Sequence, residues 1–259
     1  MSLFVGLWGS GEFQPWAEEP DRWLLEHARS GDGSVLVLPT ASAPEGGDVF
    51  DRWASMGVAH YERMGVRSTA LPLRDREDAD RPGFLGELER CSMVYFSGGN
   101  PAHLARALSG SPFWLMVLER MKEGMAYAGC SAGVAALGDV TGDSAIRDPS
   151  RFDRWQRGLA LFPGLSFAAH WDALDRFLPG LKELIVERVP QGSRLLAIDE
   201  DTAVVGDGQT WHVMGRAGAH LLLDGDWTDF VSGSTFDLPV AEPAAASASE
   251  ELSRERGRG

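Results

Sequence analysis

Short apolar runs alternate with segments of helical periodicity over the first half of this chain, and this alternation constrains the fold most. The apolar runs, which are typical of buried strands, are 3–8, 35–39, 68–73, 93–96 and 125–128. The segments with helical periodicity are 23–29, 49–64, 84–89, 101–108 and 112–122. Strands that alternate with helices in this way form βαβ units. We therefore expect a doubly wound α/β fold with a mostly parallel sheet and helices on both faces.

The second half of the chain has a different rhythm. A polar loop spans 138–157, and a short strand at 165–169 leads into a helical stretch at 171–188 that Pro179-Gly180 divides. Further strand-like runs are 195–199, 203–205, 211–214 and 220–223. The short turns between them predict an antiparallel extension at one sheet edge. We expect one domain over residues 1–238 and a disordered tail over 239–259.

Composition excludes several classes of partner. The 259 residues carry a net charge of −14, so nucleic acid and anionic membrane surfaces are not expected partners. The two cysteines have neither metal-ligand nor disulfide spacing, and no metal or cofactor site is expected. The first residues lack a basic leader, and no window is long enough to span a membrane, which predicts a cytoplasmic protein. A second copy could pair through an edge strand or helix face to form a homodimer.

The sequence Gly129-Cys130-Ser131-Ala132-Gly133 follows the apolar run at 125–128. A serine between small residues, where a strand passes into a helix, is typical of a nucleophile elbow. Such a turn lifts the hydroxyl above the sheet edge, beside backbone N–H groups that can stabilise an oxyanion. The N–H of Ala132 is one candidate donor. The same pattern also forms plain strand-to-helix turns.

Three other places follow predicted strands and should therefore lie near Ser131. The loop Ser97-Gly98-Gly99-Asn100 could supply a second oxyanion donor, and it also has the composition of a tight turn with an Asn cap. His170 ends the strand at 165–169 and could take the serine proton. The acidic turn at 199–201 contains Glu200, which could orient an imidazole. Asp143, Asp148 and Asp153 compete with Glu200 for this role, and the residue types do not choose among them.

The ordered set of these motifs, together with Phe162-Pro163-Gly164 ahead of His170, resembles peptidase family S51, which includes the aspartyl dipeptidases (peptidase E) and the cyanophycinases. The similarity runs from about residue 3 to about residue 223. The resemblance implies a fold like the class I glutamine amidotransferases and a Ser-His-Glu triad. Carried over, the triad falls on Ser131, His170 and Glu200. The oxyanion donors fall on the backbone of Gly99 and Ala132, and Asp143 is an alternative triad acid.

Departures from the family patterns bear on the substrate. Cyanophycinases resemble one another in a Gly-Gly-Asp-Gln loop and an Asp-Gln before the histidine, and this chain has neither, so cyanophycin is not expected. The aspartyl dipeptidases carry a basic loop after the histidine, where this chain offers only Arg176. Asn100, Trp171 and Arg176 are therefore the candidate substrate-binding residues, and Trp171 with Phe167 would make an apolar subsite.

These observations predict a serine peptidase that hydrolyses dipeptides or short peptides through an acyl-enzyme. An esterase or amidase of another small acyl substrate is the first alternative, and in an α/β-hydrolase arrangement His212 or His220 would be the base. The second alternative is a homologue that binds a small ligand without catalysis.

Overall fold

The computed structural model describes residues 3–148 and 150–241, without the side chain of Phe152. Its strands are β1 Val5–Trp8, β2 Val35–Leu38, β3 Ser68–Ala70, β4 Met93–Phe96, β5 Ala126–Cys130, β6 Val140–Gly142, β7 Trp155–Arg157, β8 Leu165–Ala168, β9 Arg194–Ile198, β10 Thr202–Gly206, β11 Thr210–Gly215, β12 Gly218–Leu223, β13 Asp226–Val231 and β14 Thr235–Asp237. Its α-helices are α1 Glu18–His27, α2 Gly47–Arg63, α3 Arg76–Ala79, α4 Leu85–Arg90, α5 Pro101–Leu108, α6 Pro112–Lys122, α7 Ala132–Ala135, α8 Leu174–Phe177 and α9 Leu181–Arg188.

The central sheet has the strand order β14-β11-β10-β1-β5-β4-β2-β3. Strands β1, β5, β4, β2 and β3 are parallel, whereas β10, β11 and β14 continue the sheet antiparallel beyond β1. Two buried apolar clusters flank this sheet, as expected where helices cover both faces. The predicted α/β class and the antiparallel extension are both present.

A second sheet, with the order β13-β12-β9-β8, was not predicted. Its strands β8 and β9 are parallel, and β12 and β13 are antiparallel to their neighbours. The runs at 195–199 and 220–223 were expected at the edge of the main sheet, yet they pair with each other here. The polar loop at 138–157 also contains a two-stranded hairpin of β6 and β7.

Local capping explains which helix boundaries match the sequence. Helices α5 and α6 have the predicted bounds because each begins with proline after a capping residue: Asn100 accepts from the N–H of His103, and Ser111 from that of Trp114. Helix α1 instead begins at Glu18, earlier than predicted, with three acidic residues in its first turn.

The folded part of the chain extends past the predicted boundary at residue 238. Val240 packs on the core, and its N–H donates to the carbonyl of Gly208 at 3.0 Å. The rest of the predicted tail, residues 242–259, lies outside the described residues.

Candidate active site

Three neighbouring strands of the main sheet end at one edge and bring three segments together. Ser131 follows β5, the loop with Gly98 and Gly99 follows β4, and Glu12 lies after β1. A methyl group built on Gly98 would lie 3.2 Å from Glu12 Oε1 and 3.5 Å from Ser131 Cβ, so the loop is in close contact with both residues. The carboxyl edge of a parallel sheet thus forms the base of the site.

Ser131 occupies a strained turn between β5 and α7. Its backbone has φ 52° and ψ −104°, a region that non-glycine residues rarely adopt. Gly133 allows the close approach, since a Cβ there would lie 2.3 Å from the carbonyl oxygen of Phe96. The buried Tyr127 hydroxyl donates to the Gly133 carbonyl at 2.7 Å and holds the turn from below. This is the geometry of a nucleophile elbow.

The backbone beside Ser131 offers free N–H groups. Gly99 has φ 141°, and a Cβ on it would lie 2.3 Å from the backbone of Ala41, so a larger residue does not fit. Within residues 3–148 and 150–241, the N–H groups of Gly99 and Ala132 have no acceptor. Helix α7 is a single turn, so its dipole is small. Any stabilisation of an oxyanion here would come mainly from the free N–H groups.

His170 and Glu200 reach Ser131 from the second sheet. They follow the adjacent parallel strands β8 and β9, and the N–H of Trp171 donates to the carbonyl of Ile198 between them at 3.0 Å. Nε2 of His170 lies 2.8 Å from Ser131 Oγ, and Nδ1 lies 2.9 Å from Glu200 Oε1. His170 also has a positive φ, 54°. The three side chains therefore form one continuous hydrogen-bonded series.

Two charged groups surround Glu200. Asp172 Oδ1 accepts the backbone N–H of Glu200 at 2.8 Å, which fixes the turn after β9. Arg176 lies 3.6 Å from both Glu200 Oε2 and Asp172 Oδ2, with its side chain 68% exposed. Arg176, expected at the substrate, therefore contacts Glu200. An ion pair this exposed contributes little to stability.

Asp143, the alternative acid, lies in a different network. It accepts from Asn100 Nδ2 at 2.7 Å and from Arg106 at 3.4 Å. Burial raises the pKa of Asp143, but the hydrogen bonds from Asn100 and the N–H of Ala145, together with Arg106, lower it below its ordinary value overall. Asn100 itself is buried and caps α5. Neither residue hydrogen-bonds to His170 in the described part of the chain.

The other candidates have partners of their own. Asp148 binds Ser150, and Asp153 binds Arg151, in the exposed loop before β7. His220 lies between Asp199 and Asp229. His212 contacts Thr235 on the far edge of the sheet.

Trp171 is not among the residues that line the cavity beside Ser131. Its ring contacts that of Trp227 in a tilted arrangement, with ring centroids 5.2 Å apart. Phe167 does line that cavity. Phe177, which the sequence did not single out, lies with its ring edge-on to His170 at 5.6 Å although it is 62% exposed.

Glu12 is a buried residue at the site that sequence reasoning missed. Its Oε1 accepts the N–H of Gly98 at 3.0 Å, and its Oε2 accepts the thiol of Cys130 at 2.8 Å. Burial, followed by the charge of Glu12, raises the pKa of Cys130 well above its ordinary value, so the thiol stays protonated as a donor. Glu12 lies after β1 at the same sheet edge as Ser131, and the rule applied to the other strand ends could have identified it.

Within the described ranges, no cluster of three or more His, Cys, Asp or Glu residues could hold a metal ion. Among the described helices, none has the length and apolar character needed to cross a bilayer.

A serine hydroxyl in series with an imidazole and a carboxylate, beside free backbone N–H groups, is the arrangement of a serine hydrolase. The sequence model of peptidase family S51 matches residues 6–214, and the chain belongs to this family of serine-type peptidases.

Known proteins of related sequence are cyanophycinases. The chain is 27% identical over 215 residues to that of Trichormus variabilis, covering 80% of this chain and 69% of the relative. It is 25% identical over 205 residues to that of Geminocystis herdmanii, covering 77% and 72%.

Two solved structures share the fold. A peptidase from an acI-B1 Actinobacterium superposes with a TM-score of 0.82 at 29% identity, covering 92% of this chain and 98% of the other. A peptidase E-like protein from Listeria monocytogenes EGD-e superposes with a TM-score of 0.59 at 17% identity, covering 84% of this chain and 100% of the other. At that identity the second likeness concerns the fold alone.

Proposed function

We propose that this protein hydrolyses dipeptides or other short peptides through an acyl-enzyme, with Ser131 as nucleophile, His170 as base and Glu200 as the acid that orients His170. The observation that carries the proposal is the continuous series from Ser131 Oγ to His170 Nε2 at 2.8 Å and from His170 Nδ1 to Glu200 Oε1 at 2.9 Å. Family membership supports the reaction class.

In the first step, His170 Nε2 takes the proton as Ser131 Oγ attacks the scissile carbonyl carbon. The N–H groups of Gly99 and Ala132 stabilise the oxyanion. The C–N bond then breaks, and His170 returns the proton to the leaving amine. Water next attacks the carbonyl carbon of the Ser131 ester while His170 takes its proton. The bond between that carbon and Ser131 Oγ then breaks, the acid is released, and His170 returns the proton to Ser131 Oγ. Glu200 holds His170 in the tautomer that presents a free Nε2 lone pair to the serine and stabilises the imidazolium.

A short-peptide substrate is proposed rather than cyanophycin. The relatives named cyanophycinase support peptide-bond hydrolysis. The segments around Gly99 and before His170, however, differ from the two sequence patterns given above for cyanophycinases. Arg176, the basic residue nearest the histidine in the sequence, contacts Glu200. Strict recognition of an N-terminal aspartate is therefore not proposed.

The test is turnover of a dipeptide and short-peptide library, with matched esters, read by mass spectrometry. We expect the wild type to cleave peptides, the His170→Ala variant to be inactive, and the His220→Gln variant to cleave like the wild type. Cleavage confined to esters, with His170→Ala active and His220→Gln inactive, would instead assign the protein as an esterase with another base. Retention of peptide cleavage by both variants would refute the triad.

A further inference from the structure

A cavity of about 350 Å³ opens beside Ser131 and His170, a volume in the range of small-ligand sites. Its walls come from the β6–β7 hairpin, from β8 and β9, and from helices α8 and α9. Most of the lining side chains from α8, α9 and the residue that follows each helix are aliphatic: Leu174, Leu178, Leu181, Ile185 and Val189. The cavity therefore offers an apolar surface directly adjacent to the candidate nucleophile.

The charged residues that line this cavity are all basic. They are Arg147, Arg154 and Arg188, and no aspartate or glutamate lines it among the described residues. Within the part of the chain that the structure describes, none of the three arginines forms an ion pair with a carboxylate. In a chain with a net charge of −14, three unpaired guanidinium groups around one cavity make a local positive potential.

Several residues that line this cavity have a buried polar atom without a hydrogen-bond partner within the described residues. These atoms are Arg154 Nε, Arg188 Nε, Thr141 Oγ1 and Ser166 Oγ. Arg154, Thr141 and Ser166 are 8%, 2% and 3% exposed. Buried polar groups are nearly always hydrogen-bonded, and leaving one unsatisfied costs about 1–3 kcal/mol. Because the two Nε–H groups can only donate, the partner that each guanidinium lacks is an acceptor such as a carboxylate oxygen.

Two contacts position the Arg154 guanidinium. Its Nη1 donates to the carbonyl of Ile146, and its central carbon lies 5.8 Å from the centroid of the Trp155 ring. Within the described residues, neither contact is with a carboxylate. Burial lowers the pKa of Arg154, Asp143 raises it and Arg147 lowers it. A guanidinium keeps its proton throughout the physiological range, so Arg154 presents a fixed positive charge.

We propose that this cavity binds the C-terminal residue of a short peptide, with an aliphatic or aromatic side chain against Leu174 and Leu181 and its α-carboxylate at Arg154 and Arg188. Only at a C terminus does one peptide residue carry both an apolar side chain and a carboxylate. The substrate class is therefore dipeptides and short peptides with an apolar last residue, which would leave as the free amino acid. This inference rests on the proposed function, since it assigns the leaving-group side of the same Ser131 chemistry.

The test measures binding apart from turnover, by titration calorimetry on the full-length Ser131→Ala protein. The ligands are Gly-Leu, Gly-Leu amide and Gly-Asp. We expect Gly-Leu to bind at least about tenfold more tightly than its amide, which corresponds to about 1.4 kcal/mol, and more tightly than Gly-Asp. Equal binding of Gly-Leu and its amide, stronger binding of Gly-Asp, or no binding of Gly-Leu would overturn the assignment.

Second substitutions locate the carboxylate. In the Ser131→Ala background, Arg154→Gln and, separately, Arg188→Gln should remove most of the preference for Gly-Leu over the amide. Arg90→Gln is the matched control, because the Arg90 side chain is 62% exposed and pairs with Glu87 on α4. A preference that survives both cavity substitutions would refute the role of the arginines. If one arginine variant does not fold, the comparison of Gly-Leu with Gly-Leu amide on the Ser131→Ala protein still tests whether the cavity binds a carboxylate.

Turnover separates this inference from the proposed function. If the wild type cleaves no peptide of the library although the Ser131→Ala protein binds Gly-Leu with the expected preference, the peptidase reaction is wrong and the cavity assignment stands. If the wild type cleaves peptides with no preference for an apolar residue with a free carboxylate at the C terminus, the reaction stands and the cavity assignment fails.

Discussion

Replacing Glu12 with glutamine should loosen the loop that contacts Ser131. Glu12 is 7% exposed, and its two oxygens accept separately from Gly98 N and from Cys130 Sγ. Glutamine has nearly the same volume, but one of its oxygens is replaced by an NH₂ group that cannot accept. The Glu12→Gln protein must therefore lose one of the two hydrogen bonds. If the NH₂ group faces Gly98, two donors, the NH₂ group and the N–H of Gly98, lie against each other.

The magnitude follows from burial and charge. A buried hydrogen bond to a charged group contributes about 1.5–3 kcal/mol, so we expect the free energy of unfolding to fall by about 2 kcal/mol. For a chain of this size 1 kcal/mol corresponds to about 2–4 °C, so the melting temperature should fall by about 4–8 °C.

Urea unfolding followed by tryptophan fluorescence measures this loss. Glu119→Gln is the control, because the Glu119 side chain is 62% exposed and pairs with the neighbouring Lys122, and it should change stability by less than about 0.5 kcal/mol. Cys130→Ala completes a double-mutant cycle, in which the losses at Glu12 and Cys130 should not add, because the two side chains share a hydrogen bond. A Glu12→Gln protein with the wild-type midpoint would show that the contact does not anchor the loop.

Two further predictions concern the triad acid and a remote histidine. Glu200→Gln should lower kcat/KM for a cleaved peptide by about 10²–10⁴-fold, and Asp143→Asn by less than about tenfold, because Glu200 contacts His170. Steady-state kinetics measures both losses. A larger loss for Asp143→Asn than for Glu200→Gln would move the acid role to Asp143. The hydrogen bond that His220 donates to Asp199 raises the pKa of His220, burial lowers it, and Asp229 raises it further. The stabilisation that protonated His220 contributes is therefore fully present below the pKa of histidine in the unfolded chain, about 6.5. It is lost as pH rises through the higher pKa of His220 in the folded protein. Urea midpoints of the wild type and His220→Gln should therefore converge above that range, and a gap that widens with pH would contradict this.

Local signals allowed much of the fold to be predicted. Helices α5 and α6 match because their cap residues and prolines are encoded within a few positions. The second sheet could not be predicted, because its apolar runs look alike and the choice of pairing partner depends on tertiary packing. Only the three-dimensional structure shows that β8 and β9 are neighbours, which brings His170 and Glu200 together.

The site shows the same division. The strand-end rule brought Ser131, Gly99 and His170 into consideration, but it could not choose between Glu200 and Asp143, because acidic turns look alike in sequence. Trp171 was expected to bind substrate, yet it packs near Trp227 on β13, a strand that the sequence did not predict. The cavity arginines come from the β6–β7 hairpin and the end of α9, segments whose proximity has no local signal.

The most direct measurement is peptide hydrolysis by the wild type beside Ser131→Ala, on whichever library peptide the wild type cleaves fastest, with each protein's fold checked by circular dichroism. Because triad members act as a unit, kcat should fall on the order of 10⁴–10⁶-fold in the variant. A folded Ser131→Ala protein that retains wild-type turnover would contradict the assignment of Ser131 as the nucleophile.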